Sequence, residues 1–138
     1  MTLVDTSVWI AVFRSKVPLR LEEEVDFEEV VTCLPVLQEV LQGFRDERSF
    51  RLARTAMDAL PMVEAPLTRA LFGEAVDLYR TARGHGLTIR SSVDCLIAAC
   101  ALRHDLTVLH TDRDFEALSR VSPLKQRTVK PRGGPRSR

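Results

Sequence analysis

The chain has 138 residues, 45% of them hydrophobic and 28% charged, and a net charge of +1. That is a single domain, long enough to bury roughly 68% of its unfolded surface, and no apolar run approaches the roughly 18 to 20 residues of a bilayer span. The charge is uneven: from Lys125 to Arg138 there are six basic residues and no acid, which leaves 14 basic and 19 acidic side chains in residues 1–124, a body at −5.

Thr2 to Val4 is a short apolar strand ending in Asp5, Thr6 and Ser7, all good helix starters. Val8, Trp9, Val12 and Phe13 then recur at helical spacing. Val30 to Cys33 is a second strand, rich in β-branched residues, and Pro35 suits the first position of the helix after it, whose apolar stripe is Val36, Leu37, Val40, Leu41 and Phe44. A helix over Ser49 to Leu60 is closed by Pro61, and Met62 to Ala65 forms a third strand. Thr68 to Arg83 reads as a long amphipathic helix capped by Thr68 and stopped by Gly84 and Gly86. Val93 to His104 is a helix, Thr107 to His110 a strand and Asp112 to Leu118 a short helix, with a last strand near Arg127 to Val129. Strands alternating with helices indicate an α/β fold with a mainly parallel sheet and right-handed crossovers. The expected organisation is a folded body over residues 1–124 and a basic, flexible tail over residues 125–138, whose KPRGGPRSR end has the Pro/Gly content of a segment that does not fold alone. Cys33, Cys95 and Cys100 lack metal-ligand spacing and read as small buried hydrophobes. With Asp5 interrupting the N-terminus, no signal peptide is expected, and the expected compartment is a reducing cytoplasm.

Four carboxylates stand at punctuation points: Asp5, Glu39, Asp94 and Asp112. A parallel α/β fold gathers the carboxyl ends of its strands along one edge, so these groups can converge there. Asp94 is the most telling, since from Val93 to Leu102 it is the one acid in a helix that is otherwise apolar on every side. Each of the three aspartates also has a plainer reading as a helix cap: Asp5 after the first strand, Asp94 with Ser91, and Asp112, together with Asp114, at the Thr111-x-x-Asp114 capping-box spacing. Glu39 lies too deep in its helix to cap it, about 60° off the apolar stripe. Two carboxylates about 4 Å apart repel by roughly 4 kcal/mol at an effective dielectric near 20, so a cluster must protonate or hold a cation. All-oxygen ligands favour Mg²⁺, with Mn²⁺ as substitute, over zinc. Thr6 and Ser7 are accessory candidates near Asp5, and Arg90 and Arg113 are candidate contacts to RNA phosphates. His85, His104 and His110 are scattered and suit surface or satisfied polar roles.

DTSVWI at residues 5–10, Glu39 within LQEVL and SSVDCLIAACALRHDLTVLHTDRDF at residues 91–115 resemble the PIN domain, and within it the VapC-type toxins of toxin–antitoxin pairs. The resemblance covers nearly all of residues 3–124. It implies a three-layer fold with a central parallel sheet of four or five strands, and an Mg²⁺-dependent endoribonuclease that cleaves structured RNA such as tRNA or rRNA and so inhibits translation. It places Asp5, Glu39, Asp94 and Asp112 as metal-site acids, with Asp114 at a fifth, less uniform position. It also implies a homodimer, silenced by a small cognate antitoxin that covers the acidic groove. Two other readings compete. A phosphoryl-accepting receiver domain would want paired acids after the first strand and a Lys after the last, and a non-catalytic binding module would use these acids only as helix caps.

Overall fold

A computed structural model of the chain describes residues 1–14 and 16–129. Five strands alternate with six helices: β1 (Thr2–Val4), α1 (Thr6–Arg14), β2 (Val30–Cys33), α2 (Leu34–Gln42), α3 (Glu47–Asp58), β3 (Met62–Val63), α4 (Arg69–Gly84), α5 (Ser92–Arg103), β4 (Thr107–His110), α6 (Arg113–Arg120) and β5 (Lys125–Thr128). The sheet order is β3-β2-β1-β4-β5 and every pairing is parallel. β1 is therefore central: β2 and β3 were added on one side of it, β4 and β5 on the other. Its register aligns Thr2 with Val30 and with Thr107. The order reverses at β1, and the chain crevice at such a reversal lies beyond the carboxyl ends of the strands.

Local chemistry accounts for most boundaries. Thr68 Oγ1 accepts the Leu71 amide at 3.2 Å and starts α4, whose end is followed by Gly86 at φ +75°, a left-handed conformation that glycine adopts without strain. Asp46 caps α3 by accepting the Ser49 amide at 2.8 Å. α5 is buried nearly all round, with Cys95, Ile97, Ala98, Ala99, Cys100 and Ala101 inside, as its unbroken apolar run requires. Burying a side chain such as Ile97 stabilises the fold by about 1.5–3 kcal/mol. All three cysteines are buried thiols. Among the described residues no helix is long and apolar enough to cross a membrane.

α3 lies two residues earlier than expected, at Glu47–Asp58, and β3 stops at Val63, short of Ala65; two further features depart from the sequence reading. Single 3-10 turns at Leu21–Glu23 and Phe27–Glu29 lie in the acidic connection before β2, where no apolar period announces them. The last strand starts at Lys125 rather than Arg127, so the sheet takes in the first residues of the segment expected as a flexible tail. This edge strand is held by pairing with β4, by the buried Val129, whose amide bonds the His110 carbonyl at 2.8 Å, and by the Arg127 guanidinium on the Glu24 carbonyl. The rest of the expected tail, residues 130–138, lies outside the described residues.

Candidate active site

The switch point of the sheet fixes the first acid. Asp5 directly follows β1, and its amide donates to the Leu109 carbonyl of β4 at 2.9 Å, extending the ladder by one rung. Its side chain is only 2% exposed. Oδ2 accepts the Ser7 amide at 3.1 Å and the Ser7 hydroxyl at 2.6 Å, while Oδ1 has no partner. Ser7 Oγ in turn accepts the Thr111 amide at 3.0 Å, so one hydroxyl ties the start of α1 to the loop after β4. Thr6 Oγ1 donates to Glu39 Oε1 at 2.7 Å, bringing the half-buried Glu39 of α2 to the same helix start.

Asp94 lies in the first turn of α5 and is 5% exposed. The capping role open to it is not realised: Ser91 makes no side-chain cap bond, and Asp94 Oδ2 is buried without a partner. Its carboxyl is pushed up to about 10, first by burial, then by the charge of Asp5 and by Asp114 and Asp112 within hydrogen-bonding reach. Burial also raises Asp5, and Asp112 adds to the effect. At about 10, Asp94 keeps its proton at neutral pH unless a cation replaces it.

Asp112 does cap a helix: its Oδ1 accepts the Asp114 amide at 3.0 Å at the start of α6. Asp114, 3% exposed, is a clip. Its carboxylate accepts the Arg90 and Ser91 amides, each at 3.0 Å on Oδ2, and so closes the loop that leads into α5 and sets where Asp94 stands. The structure thus assembles Asp5, Asp94, Asp112 and Asp114, with oxygens of the last three within 4.8 Å of one another, and ties Glu39 to Thr6, the residue after Asp5. Arg90 and Arg113 are exposed, and neither guanidinium is engaged in an ion pair among the described residues. His85 and His104 sit at the surface, bonded to the Thr81 carbonyl and the Glu64 carboxylate.

Of the surface and satisfied polar roles expected for the histidines, His110 takes the second. It is fully buried against Phe115, accepts the Asp112 amide on Nδ1 at 3.0 Å and meets Gln126 Oε1 of β5 through Nε2 at 2.6 Å. No spacing rule connects residues 110 and 126; only the β4–β5 register does.

The donor set suits a divalent cation. Two buried carboxylate oxygens, on Asp5 and Asp94, lack any protein donor, and the set is all-oxygen, which Mg²⁺ and Mn²⁺ prefer. Capping explains Asp112 but not these two atoms, and a single Asp after β1 does not make a receiver pocket. Beside Glu39 opens a groove of about 250 Å³ lined by Leu34, Gln38, Leu67 and Phe72, and Phe72 and Leu96 also line a second of about 460 Å³ that reaches Arg90.

The PIN domain family model matches residues 2–121. The chain is 34% identical over 132 residues to a VapC ribonuclease from Mycobacterium bovis and, to the same extent, to ribonuclease VapC11 from Mycobacterium tuberculosis, covering 91% of this chain and 96% of each relative. Among solved structures it is similar to VapBC2 from Rickettsia felis bound to a promoter DNA fragment, with a TM-score of 0.73 at 14% identity over 94% of this chain and 98% of that one. It is also similar to FitAcB from Neisseria gonorrhoeae, with a TM-score of 0.68 at 18% identity over 95% and 98%. At those identities the structural likeness speaks to the fold.

Proposed function

The chain belongs to the PIN-domain family, and from that premise we propose that it is a divalent-metal-dependent endoribonuclease, the toxin of a toxin–antitoxin pair. One observation carries the reading: two buried acids at the carboxyl edge of the sheet, Asp5 and Asp94, each bury an oxygen without a protein partner, and Asp94 is pushed up to about 10. Relatives with this fold bear the name ribonuclease.

Asp5 and Asp94 would hold the metal directly, with Glu39 and Asp112 beside it directly or through water. When bound, Mg²⁺ or Mn²⁺ supplies an activated water and neutralises charge on the scissile phosphate. The remaining work belongs to the chain. Ser7 engages one oxygen of Asp5 and leaves the other without a protein partner. Thr6 would hold Glu39 at the start of α1, next to Asp5. Asp114 holds the loop before α5, so that Asp94 projects from a fixed helix start. Arg90 and Arg113, exposed at the rim, would hold RNA phosphates and fix the register of the strand, with a structured tRNA or rRNA loop as the substrate class. A small antitoxin would silence the site by placing a basic residue, most simply an Arg, among the acids, where bidentate pairing competes with metal. The apolar groove beside Glu39 offers the rest of that segment a seat. A homodimer completes the proposed assembly.

Cleavage of RNA by the purified chain tests the reading. Products are expected only with Mg²⁺ or Mn²⁺, carrying 5′-phosphate and 3′-hydroxyl ends as attack by metal-activated water gives. Undiminished cleavage in excess chelator, or 2′,3′-cyclic phosphate ends, would sink it. Expression of the chain alone should arrest growth and the Asp5→Asn variant should not. Harmless expression of the folded, abundant chain removes the toxin role while leaving the nuclease.

A further inference from the structure

Three backbone donors of the turn that carries Asp112 are taken up by side chains. Thr111 donates to Ser7 Oγ, Asp114 to Asp112 Oδ1, and Asp112 itself to the ring of His110. The last bond dictates the state of that ring. An amide can only donate, so Nδ1 must present its lone pair, and a neutral imidazole then carries its proton on Nε2. Nε2 faces Gln126 Oε1 at 2.6 Å. Gln126 is on the same sheet face, since in the parallel β4–β5 register it aligns with Val108, two residues from His110. Phe115 closes over the ring, centroid to centroid 5.1 Å, and His110 has no exposed surface.

We propose that His110 and Gln126 are a positioning pair, in which Gln126 holds the imidazole as its Nε2–H tautomer so that Nδ1 fixes the backbone of Asp112 and aims that carboxylate at Asp94. The inference rests on the metal-site reading given above and goes beyond it, because Gln126 lies outside the residues matched by the family model. The edge strand β5 thereby becomes part of the site. Groups that orient a ligand from behind commonly set metal affinity by about 10- to 100-fold.

The test uses the full chain. In chelator, ¹⁵N-resolved NMR of the folded protein should show His110 as the Nε2–H tautomer; an Nδ1–H or doubly protonated ring overturns the proposal. In Mn²⁺ titrations at fixed pH, His110→Leu should bind about tenfold more weakly or worse. His110→Asn, which restores an acceptor at the Nδ1 position, should recover most of the affinity. Gln126→Leu should shift the ring toward Nδ1–H and weaken Mn²⁺ binding less than His110→Leu. A folded His110→Leu that binds Mn²⁺ like the wild type removes this inference alone. Should His110→Leu fail to fold, an unchanged tautomer and unchanged affinity in Gln126→Leu overturn it instead. A wild-type chain that binds no Mn²⁺ overturns the metal-site reading and this inference with it.

Discussion

The starts of α3 and α5 each carry an aspartate, and the two behave in opposite ways. Asp46 is exposed, accepts the Ser49 amide at 2.8 Å, and its carboxyl is held below the ordinary value by that bond. Asp94 is buried, has an oxygen with no donor, and is pushed up to about 10. Residue type and place on the helix are nearly shared. What differs is solvent and company: α3 begins in water, whereas α5 begins against Asp5, Asp112 and Asp114. A helix start stabilises a lone carboxylate through its amides and dipole, but that benefit cannot offset three neighbouring acids and desolvation. The first arrangement stabilises the fold, and the second holds a site ready for a cation.

Removing the charge should separate them most sharply in activity. Asp94→Asn keeps shape and is expected to lower RNA cleavage by a factor of about 100 or more. Its metal-free melting temperature should be unchanged or higher, because folding no longer has to place a proton on a buried carboxyl. A folded Asp94→Asn protein that cleaves at the wild-type rate would return Asp94 to the class of Asp46.

Stability against pH should also run in opposite directions. The Asp94 carboxyl goes from an ordinary value of 3.8 to about 10 on folding. Between those values the unfolded chain has released the proton that the folded chain keeps, so this contribution is full below pH 3.8 and is lost as pH rises toward 10. For Asp46 the folded value is lowered, so its contribution is present above 3.8 and lost as pH falls through the folded value. In chelator, melting curves from about pH 5 to about pH 9 should show Asp94→Asn gaining on the wild type as pH rises. A constant gap would mean that Asp94 is already ionised without metal.

How much of this was legible in the chain depends on whether the signal is local. The run from Val93 to Leu102 announces a buried helix by itself, and an acid inside it is conspicuous. β1, β2 and β4 are short β-branched or apolar runs, Pro35 and Thr68 mark helix starts, and all appear where expected. β5 was partly hidden, because KQRT is an exposed edge strand with no apolar alternation, identified by its partner and not by its own residues. The same holds within the site. Asp5, Asp94 and Asp112 could be named from sequence, but that capping holds for Asp112 and not for Asp94 depends on the loop closed by Asp114. The pairing of His110 with Gln126 depends wholly on strand register.

Asp114 falls between the two aspartates and sharpens the contrast further. It is as buried as Asp94, yet its carboxylate is satisfied by the Arg90 and Ser91 amides. Asp114→Asn retains one acceptor and loses the charge-assisted bonds, a cost of about 1.5–3 kcal/mol. Cleavage should fall less than in Asp94→Asn and recover partly at higher Mg²⁺ concentration, since the loop before α5 loosens while Asp5 and Asp94 remain. A loss equal to that of Asp94→Asn, unrelieved by Mg²⁺, would instead make Asp114 a direct ligand.

The smallest effect is expected at Asp46 itself. Asp46→Asn leaves a side-chain oxygen that can still accept the Ser49 amide, and Asn is as good a helix cap as Asp. Only the interaction of a full charge with the helix dipole is lost, at a fully solvated position where salt screens it. The melting temperature near neutral pH should therefore barely move, and cleavage and Mn²⁺ affinity should match the wild type. The acid limb of the stability curve should flatten slightly, since the group whose ionisation was favoured by folding is gone. A clear loss of cleavage in Asp46→Asn would show that charge at the start of α3 reaches the substrate, and the division between a structural and a functional aspartate at two helix starts would fail.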